Sequence, residues 1–340
     1  MSSMHTVHGP IDIADAGKVM MHEHPLSLTP GPWMTAGQNR DADQVSLAVR
    51  ALAPLRDLGY GTVVDLSPYG VVGRSDDGAN VALLREISER SGLHIVAGTS
   101  VYLEAYSPEW ARDASLDQLT ATLIADLTRG IGDSGVRAGI LGEQATGFDE
   151  ITAHEEKALR AAARAQRATG VALMTHTTHA TMAMEQLAVL QDEGVDPSRV
   201  VVGHMDIHPD PGAVFAVLDA GAAIAIDTIG KQHWDFFLAP PPAERVEGEY
   251  AKRAYFRSDR SRAQLLVDIA ARGQIDQVVL AQDLTGAEVY MNPHTHGQAG
   301  YAYLSEVFIP MACELGLDPH HVDTLLRANP ARLLTPAAAA

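Results

Sequence analysis

The sequence has very few residues of several informative types. Cys313 is the only cysteine among 340 residues, which excludes an intrachain disulfide and a CxxC metal site and favours a reducing compartment. Aromatic residues make up 5% of the chain, so the core must consist mainly of aliphatic side chains. No apolar run approaches the ~18 residues of a membrane-spanning helix, and residues 1–17 lack the pattern of a signal peptide. These absences predict a cytoplasmic protein.

Positive charge is also scarce. The chain has 25 Lys and Arg against 43 Asp and Glu, a formal net charge of −18. Such a surplus repels phosphate backbones and anionic lipids, so neither a nucleic acid nor a membrane is an expected partner. It suits a carboxylate-lined site for a divalent cation, and a small-molecule substrate is expected.

The chain repeats one pattern, a short apolar run followed by a loop and an amphipathic helix. Eight runs are nearly continuous in apolar character, as expected of parallel strands buried on both faces. They are Lys18–His24, Gly61–Ser67, His94–Ser100, Ala138–Glu143, Val171–His176, Val200–His204, Ala222–Asp227 and Gln277–Asp283. Eight such units predict an α/β fold, a (β/α)8 TIM barrel, as a single domain over residues 1–340. The alternative is a doubly wound open sheet, but no GxGxxG or phosphate-binding loop follows an early strand.

Helices are predicted between these runs. Asp43–Leu58 has apolar residues at helical spacing and is followed by Gly59. Thr152 and Glu155 form a capping box that begins a helix ended by Gly170. Two further predicted helices are Met182–Glu193 and Asp259–Arg272.

The strand ends carry residues that typically bind metals. Catalytic groups of such barrels lie at the carboxyl ends of the strands. The polar residues at these ends are His22, His24, Glu143, His176, His204, Asp227 and Asp283. Because side chains alternate along a strand, His22 and His24 can both face the barrel mouth while Glu23 points away. A lone histidine at a strand end is more often a core residue than a ligand, but donors on several strands together predict a metal site.

Other polar residues near the strand ends have less specific interpretations. Asp65 and Asp206 are rival carboxylates, and either can orient a ligand rather than bind the metal itself. His294 and His296 repeat the HxH spacing, but no apolar run precedes them, and we interpret this pair as a loop feature.

Several segments together resemble the phosphotriesterase family, in its phosphotriesterase-like lactonase and phosphotriesterase homology protein branch of the amidohydrolase superfamily. The resemblance runs from about Gly17 to Leu334, with the motifs in the family's order. The segments are GKVMMHEHPL, RAGILGE with ATG following, EEKALRAAARAQRATGV, THT, VVVGHMD, DTIGK and NPARLL. This resemblance implies a TIM barrel with two divalent metal ions per chain, usually Zn²⁺, and a homodimer.

The resemblance also implies a ligand set. By position, His22, His24 and Asp283 would hold the more buried ion, and His176 and His204 the more exposed one. Many members bridge the ions with a carboxylated lysine, but this chain has no lysine between positions 18 and 157. A subset of the family uses a glutamate one residue later, and this role is assigned to Glu143.

Three residues are predicted to contact the substrate. Tyr102 resembles the tyrosine that lactonase-like members place over the metals, although a structural tyrosine would also fit. Asp227 and Lys231 belong to the DTIGK segment at the seventh strand. Asp227 can equally cap a loop, whereas Lys231 offers a cation that can meet a carboxylate.

The expected reaction is hydrolysis by a hydroxide that bridges two metal ions, with Asp283 as proton acceptor. The first hypothesis for the substrate is a carboxylic ester or lactone. An N-acyl or other amide is the alternative, with phosphotriester hydrolysis as a side activity and a metal-binding protein without catalysis as the fourth possibility. From Gly273 to Leu326 there is no Lys or Arg, so a phosphorylated substrate is not expected.

Overall fold

The barrel predicted from the sequence is confirmed. The computed structural model describes residues 2–27, 41–231, 258–284 and 300–338. Eight parallel strands pair in chain order, from β3 to β10. They are β3 Lys18–Glu23, β4 Tyr60–Asp65, β5 His94–Thr99, β6 Ile140–Thr146, β7 Leu173–Thr177, β8 Val200–Val202, β9 Ala223–Ile226 and β10 Val278–Leu280. The Asp283 amide donates to the His22 carbonyl at 3.0 Å, which links the two ends of the sheet.

A short antiparallel hairpin precedes the barrel and was not predicted from the sequence. Its strands are β1, Ser3–Thr6, and β2, Gly9–Asp12. Met4 on β1 belongs to the same buried cluster as Leu333 and Leu334 near the C-terminus. The two ends of the chain therefore contribute to the packing of the barrel interior.

Helices connect the strands in the order expected of this fold. They are α1 Asp41–Leu52, α2 Pro54–Asp57, α3 Leu83–Ser91, α4 Glu109–Asp113, α5 Leu116–Thr128, α6 Ala153–Thr169, α7 Ala183–Asp192, α8 Pro211–Asp219, α9 Asp259–Ala271, α10 Ile309–Glu314, α11 His321–Asp323 and α12 Asn329–Leu334. The capping box at Thr152 and the left-handed Gly170 at the end of α6 are confirmed. The single helix predicted over Asp43–Leu58 is instead two helices, α1 and α2, since Pro54 lacks the amide that would continue the first. No helix among the described residues is both long and apolar enough to cross a membrane.

The buried side chains form two layers on either side of the sheet. Inside the barrel, Val19, Val64, Met174 and Val279 belong to one cluster. The alternate residues of the strands pack with the helices in a larger outer cluster, which includes Met20. Because both faces of each strand are buried, polar side chains that line the mouth must hydrogen-bond, pair or bind a ligand.

Candidate metal centre

The structure brings the six predicted ligands together at the carboxyl end of the barrel. Among the described residues there are three sets in which the donor atoms all lie within 4.8 Å of one another, and one of them, His22, His204 and Asp227, is described below. The six predicted ligands form the other two sets. One set is His22, His24 and Asp283, and the other is Glu143, His176 and His204. His204 and Asp283 both have positive φ angles, of 59° and 49°, a conformation that costs energy for residues other than glycine and clusters at functional sites.

Strand β3 reaches the site through a change of register. Val19 and Met21 face the barrel interior and Met20 faces outward, so regular alternation would turn His22 outward. The pairing of β3 with β4 shifts between Met20 and Glu23, and such a bulge re-aims the side chains that follow. The spacing of the two histidines was informative, but the simple alternation argument omitted this bulge.

Strand β6 has a similar irregularity at Glu143. The register against β7 shifts between Leu141 and Gln144. At Gly142, where φ is +149°, an added Cβ would lie 2.8 Å from the Met174 carbonyl oxygen. A side chain at residue 142 is therefore disfavoured, and the carboxylate comes from Glu143.

The Glu143 carboxylate lies at the centre of the site. Its Oε2 is 3.0 Å from His176 Nδ1, 3.4 Å from His22 Nε2 and 3.6 Å from His204 Nε2. Its Oε1 is 3.6 Å from His24 Nε2. One carboxylate thus reaches imidazoles of both donor sets, as a group that bridges two cations must.

Asp227, which is predicted to contact the substrate or to cap a loop, lies behind the imidazoles of His22 and His204. It is fully buried. Its Oδ2 is 2.8 Å from His22 Nδ1, and its Oδ1 accepts from the His204 backbone amide and lies 2.9 Å from His204 Nδ1. Both imidazoles therefore donate Nδ1–H to Asp227, which leaves Nε2 as the nitrogen that would bind a metal ion. The three residues form a hydrogen-bonded unit rather than a third cation site.

A second chain of hydrogen bonds orients His24. The Ser67 hydroxyl donates to Asp65 Oδ1 at 2.6 Å, so its oxygen accepts from His24 Nδ1 at 3.1 Å. Asp65 is fully buried and also accepts from the guanidinium of buried Arg74 at 2.7 Å. The chain fixes His24 with its Nε2 lone pair toward the site, which assigns Asp65 the orienting role considered above.

The donor set fits divalent cations. His22 Nε2 is buried and has no hydrogen-bond partner among the described residues, although its ring is held by Asp227. Four imidazoles and two carboxylates are the nitrogen and oxygen ligands that zinc and similar metals take. The orphaned nitrogen and this chemistry together support a metal-binding role for the cluster.

The electrostatics of the site favour bound positive charge. Burial by itself lowers the pKa of His22, but Glu143 and Asp227 outweigh it and raise that pKa to about 10. Burial also lowers the pKa of His204, but its contacts with Asp227 outweigh burial and raise that pKa. Against burial, the histidines hold the pKa of Glu143 well below its ordinary value, and Lys231 and His24 do the same for Asp283. The cluster therefore stabilises cationic groups.

Tyr102 and Lys231 lie beside different donor sets. The Tyr102 hydroxyl is 3.2 Å from His176 Nε2, with the two rings edge-on at 5.0 Å. Lys231 Nζ donates to Asp283 Oδ2 at 2.6 Å. Both side chains thus lie next to predicted metal ligands. His294 and His296 lie outside the described residues.

Sequence reasoning missed the role of Glu23. This buried carboxylate was expected to point away, and it does not bind the cluster directly. Its two oxygens accept the backbone amides of Gln282 and Leu284, each at 2.9 Å. These amides flank Asp283, so Glu23 fixes the loop that carries it. A glutamate between two predicted ligand histidines was the available signal, but the amides that it accepts are more than 250 residues away in the sequence.

A barrel of eight parallel strands with histidine and carboxylate donors at its carboxyl end is typical of metal-dependent hydrolases. Residues 2–334 match the model of the phosphotriesterase family, and the chain belongs to that family. It is therefore a hydrolase by family.

Individual relatives are similar over nearly their whole length. A phosphotriesterase homology protein of Escherichia coli K12 is 33% identical over 290 residues, covering 85% of this chain and 89% of that protein. The crystal structure of the Escherichia coli phosphotriesterase homology protein, complexed with phosphate in its active site, has a TM-score of 0.77 and 29% identity, covering 95% of this chain and 100% of that one. An N-acetyltaurine hydrolase of Tetraodon nigroviridis is 26% identical and covers 97% of each chain.

Proposed function

We propose that the chain binds two divalent metal ions, with Zn²⁺ as the first candidate, and hydrolyses a carboxylic ester or lactone. His22, His24 and Asp283 would hold one ion and His176 and His204 the other, with Glu143 between them. The observation that carries this proposal is the central Glu143 carboxylate, which lies 3.0–3.6 Å from nitrogens of all four imidazoles.

When bound, two such ions supply a water of lowered pKa and a Lewis acid for a carbonyl oxygen. The residues of the chain must then accept and deliver a proton. Among the three carboxylates at the imidazoles, the Asp283 side chain is 18% exposed, whereas Glu143 and Asp227 are 3% and 0% exposed. Asp283 is therefore the carboxylate that a substrate can reach. In this role Asp283 would accept a proton from the attacking water and pass it to the leaving group.

Two neighbouring side chains can orient the substrate. The Tyr102 hydroxyl beside His176 can donate to a carbonyl or leaving oxygen. The Lys231 ammonium beside Asp283 can pair with an anionic group of the substrate. Among the described residues, Lys231 is the one Lys or Arg paired with a predicted ligand, so a carboxylate-bearing substrate fits better than a phosphate dianion, which needs several donors.

An N-acyl amide is the second candidate substrate. It is supported by relatives named N-acetyltaurine hydrolase at 24–26% identity. The proton acceptor proposed for an ester, Asp283, would deliver its proton to a leaving nitrogen in the same way.

The test compares one acyl group presented as a lactone or ester and as an amide, assayed with zinc-loaded enzyme. Preference for the ester supports the first proposal, and preference for the amide replaces it with the second. Asp283→Asn should lower kcat by about 10²–10⁴-fold, as expected for loss of a general base, while His296→Ala should not. Equal losses in the two variants would contradict the assignment of Asp283.

A further inference from the structure

A buried network outside the barrel mouth holds the segment that carries Lys231. Its central residue is Asp259, the first residue of α9, which is fully buried. Both oxygens of Asp259 accept the Gly230 backbone amide, at 3.2 and 3.1 Å. Oδ1 also accepts from Arg262 at 2.8 Å, and Oδ2 from the Tyr303 hydroxyl at 2.8 Å.

Arg262 connects this carboxylate to a second one. Arg262 is 1% exposed, and its Nε donates to Asp206 Oδ2 at 2.8 Å and to Thr228 Oγ1 at 3.0 Å. The Thr228 hydroxyl in turn donates to Asp206. The carboxylates of Asp206 and Asp259 therefore share the Arg262 guanidinium. A buried ion pair is stable only when good hydrogen bonds offset the cost of removing its charges from water.

The network ends at the turn between Thr228 and Lys231. The Lys231 amide donates to the Thr228 carbonyl at 3.2 Å. Gly230 has φ of +88°, and a Cβ there would lie 3.4 Å from the Tyr303 ring. Tyr303 therefore fixes this turn twice, by the packing of its ring against Gly230 and by its hydrogen bond to Asp259.

We propose that Asp259, Arg262 and Tyr303 are positioning residues that hold Lys231 against Asp283 and thereby set the affinity of the enzyme for substrates with an anionic group. This inference rests on the proposed function, because it takes Lys231 as the cation that meets the substrate. None of the three residues lies in the two donor sets, so a change that is confined to the network should spare the metal ligands. The position of the Lys231 ammonium thus depends on Asp259 and Arg262 of α9 and on Tyr303, which precedes α10.

The test uses Tyr303→Phe, which keeps the ring on Gly230 and removes only the hydroxyl that binds Asp259. Tyr60→Phe is the matched control, because Tyr60 is also 4% exposed and its hydroxyl is 2.9 Å from Ser305. With two substrates that differ only by a carboxylate, Tyr303→Phe should raise KM for the anionic one about threefold to tenfold, the effect of one lost hydrogen bond of ordinary strength. KM for the neutral substrate and the amount of bound zinc should stay at the wild-type level.

A second measurement does not depend on turnover. Limiting acetylation with acetic anhydride, followed by peptide mass spectrometry, measures the acetylation rate of each lysine, which is lower when its ammonium is held in an ion pair. Tyr303→Phe should increase the labelling rate of Lys231 at least about threefold, with Lys18 and Lys157 unchanged, and Tyr60→Phe should change none. Unchanged labelling of Lys231, or equal effects on anionic and neutral substrates, would overturn the inference. Absence of hydrolysis in the wild type would overturn the proposed function alone, since the labelling still decides the positioning.

Discussion

The double role of Asp227 leads to an asymmetric prediction for Asp227→Asn. In the structure, Oδ1 accepts two hydrogen bonds from His204, one of them from its backbone amide, whereas Oδ2 accepts one from His22. An asparagine offers one oxygen and one amino group. The backbone amide of His204 can only donate, so the oxygen should take the Oδ1 position and the amino group should face His22.

An amino group beside Nδ1 forces His22 into the other tautomer. Its Nδ1 then accepts, and its Nε2 carries the proton, 3.4 Å from Glu143 Oε2. A protonated Nε2 cannot bind a metal. Replacing an orienting partner of a ligand typically costs about 10–100-fold in metal affinity, which corresponds to about 1.4–2.8 kcal/mol. The loss should fall on the site of His22, His24 and Asp283.

The assay is a zinc titration of metal-free protein in competition with a chromophoric chelator, fitted to two sites. We expect one site to weaken by about 10–100-fold and the other, which contains His204, to change much less. Asp126→Asn is the control, because Asp126 is also a buried carboxylate with two hydroxyl donors, Tyr69 and Thr99. Wild-type affinity at both sites, or equal weakening of both, would refute the tautomer argument.

Three further predictions concern the bridge, the pH dependence of stability and the substrate. Glu143→Ala should lower bound zinc from about two equivalents to less than one by elemental analysis, because both sites lose their shared ligand; retained metal and turnover would exclude the bridge. Burial raises the pKa of Asp126 to about 6 against its hydrogen bonds from Thr99 and Tyr69, so its contribution is present at low pH and lost as pH rises through 6. The wild type should therefore gain about 1.4 kcal/mol relative to Asp126→Asn between pH 8 and pH 5 in denaturant unfolding, and parallel pH profiles would contradict that pKa. A sugar lactone should have a higher kcat/KM than its phosphorylated counterpart, since Lys231 is the one Lys or Arg that pairs with a predicted ligand among the described residues; the reverse preference would show that a phosphate clamp exists.

The fold could be predicted because the barrel strands are buried on both faces. Each run, such as Val200–His204, is therefore continuously apolar and ends in a polar residue at the mouth. That pattern identified the His, Asp and Glu residues at the strand ends without knowledge of any contact between them. The hairpin of β1 and β2 was missed because its residues are partly exposed and give no comparable apolar run.

The fine geometry of the site could not be predicted, because it depends on contacts between distant residues and on bulges. Asp227 and His22 are separated by 205 positions, and an aspartate at a strand end can bind substrate, cap a loop or orient a ligand. Only the observed hydrogen bonds decide between these roles. The bulge that turns His22 inward likewise leaves no mark in the hydrophobic pattern, since the residues on both sides of β3 are buried.

The charge balance at the mouth explains why so many carboxylates can be buried there. Glu143, Asp227 and Asp283 face the imidazoles, and Lys231 pairs with one of them. Three negative charges against one positive charge would be costly in a buried site. In the chain alone, the carboxylates raise the pKa values of His22 and His204 against the effect of burial, which favours protons on these imidazoles. Divalent cations would take the place of those protons, because the nitrogen atoms that hold them are the same ones that a metal needs. The histidine tautomers, the buried carboxylates and the orphaned nitrogen of His22 are therefore consequences of one requirement, that this end of the barrel must hold positive charge.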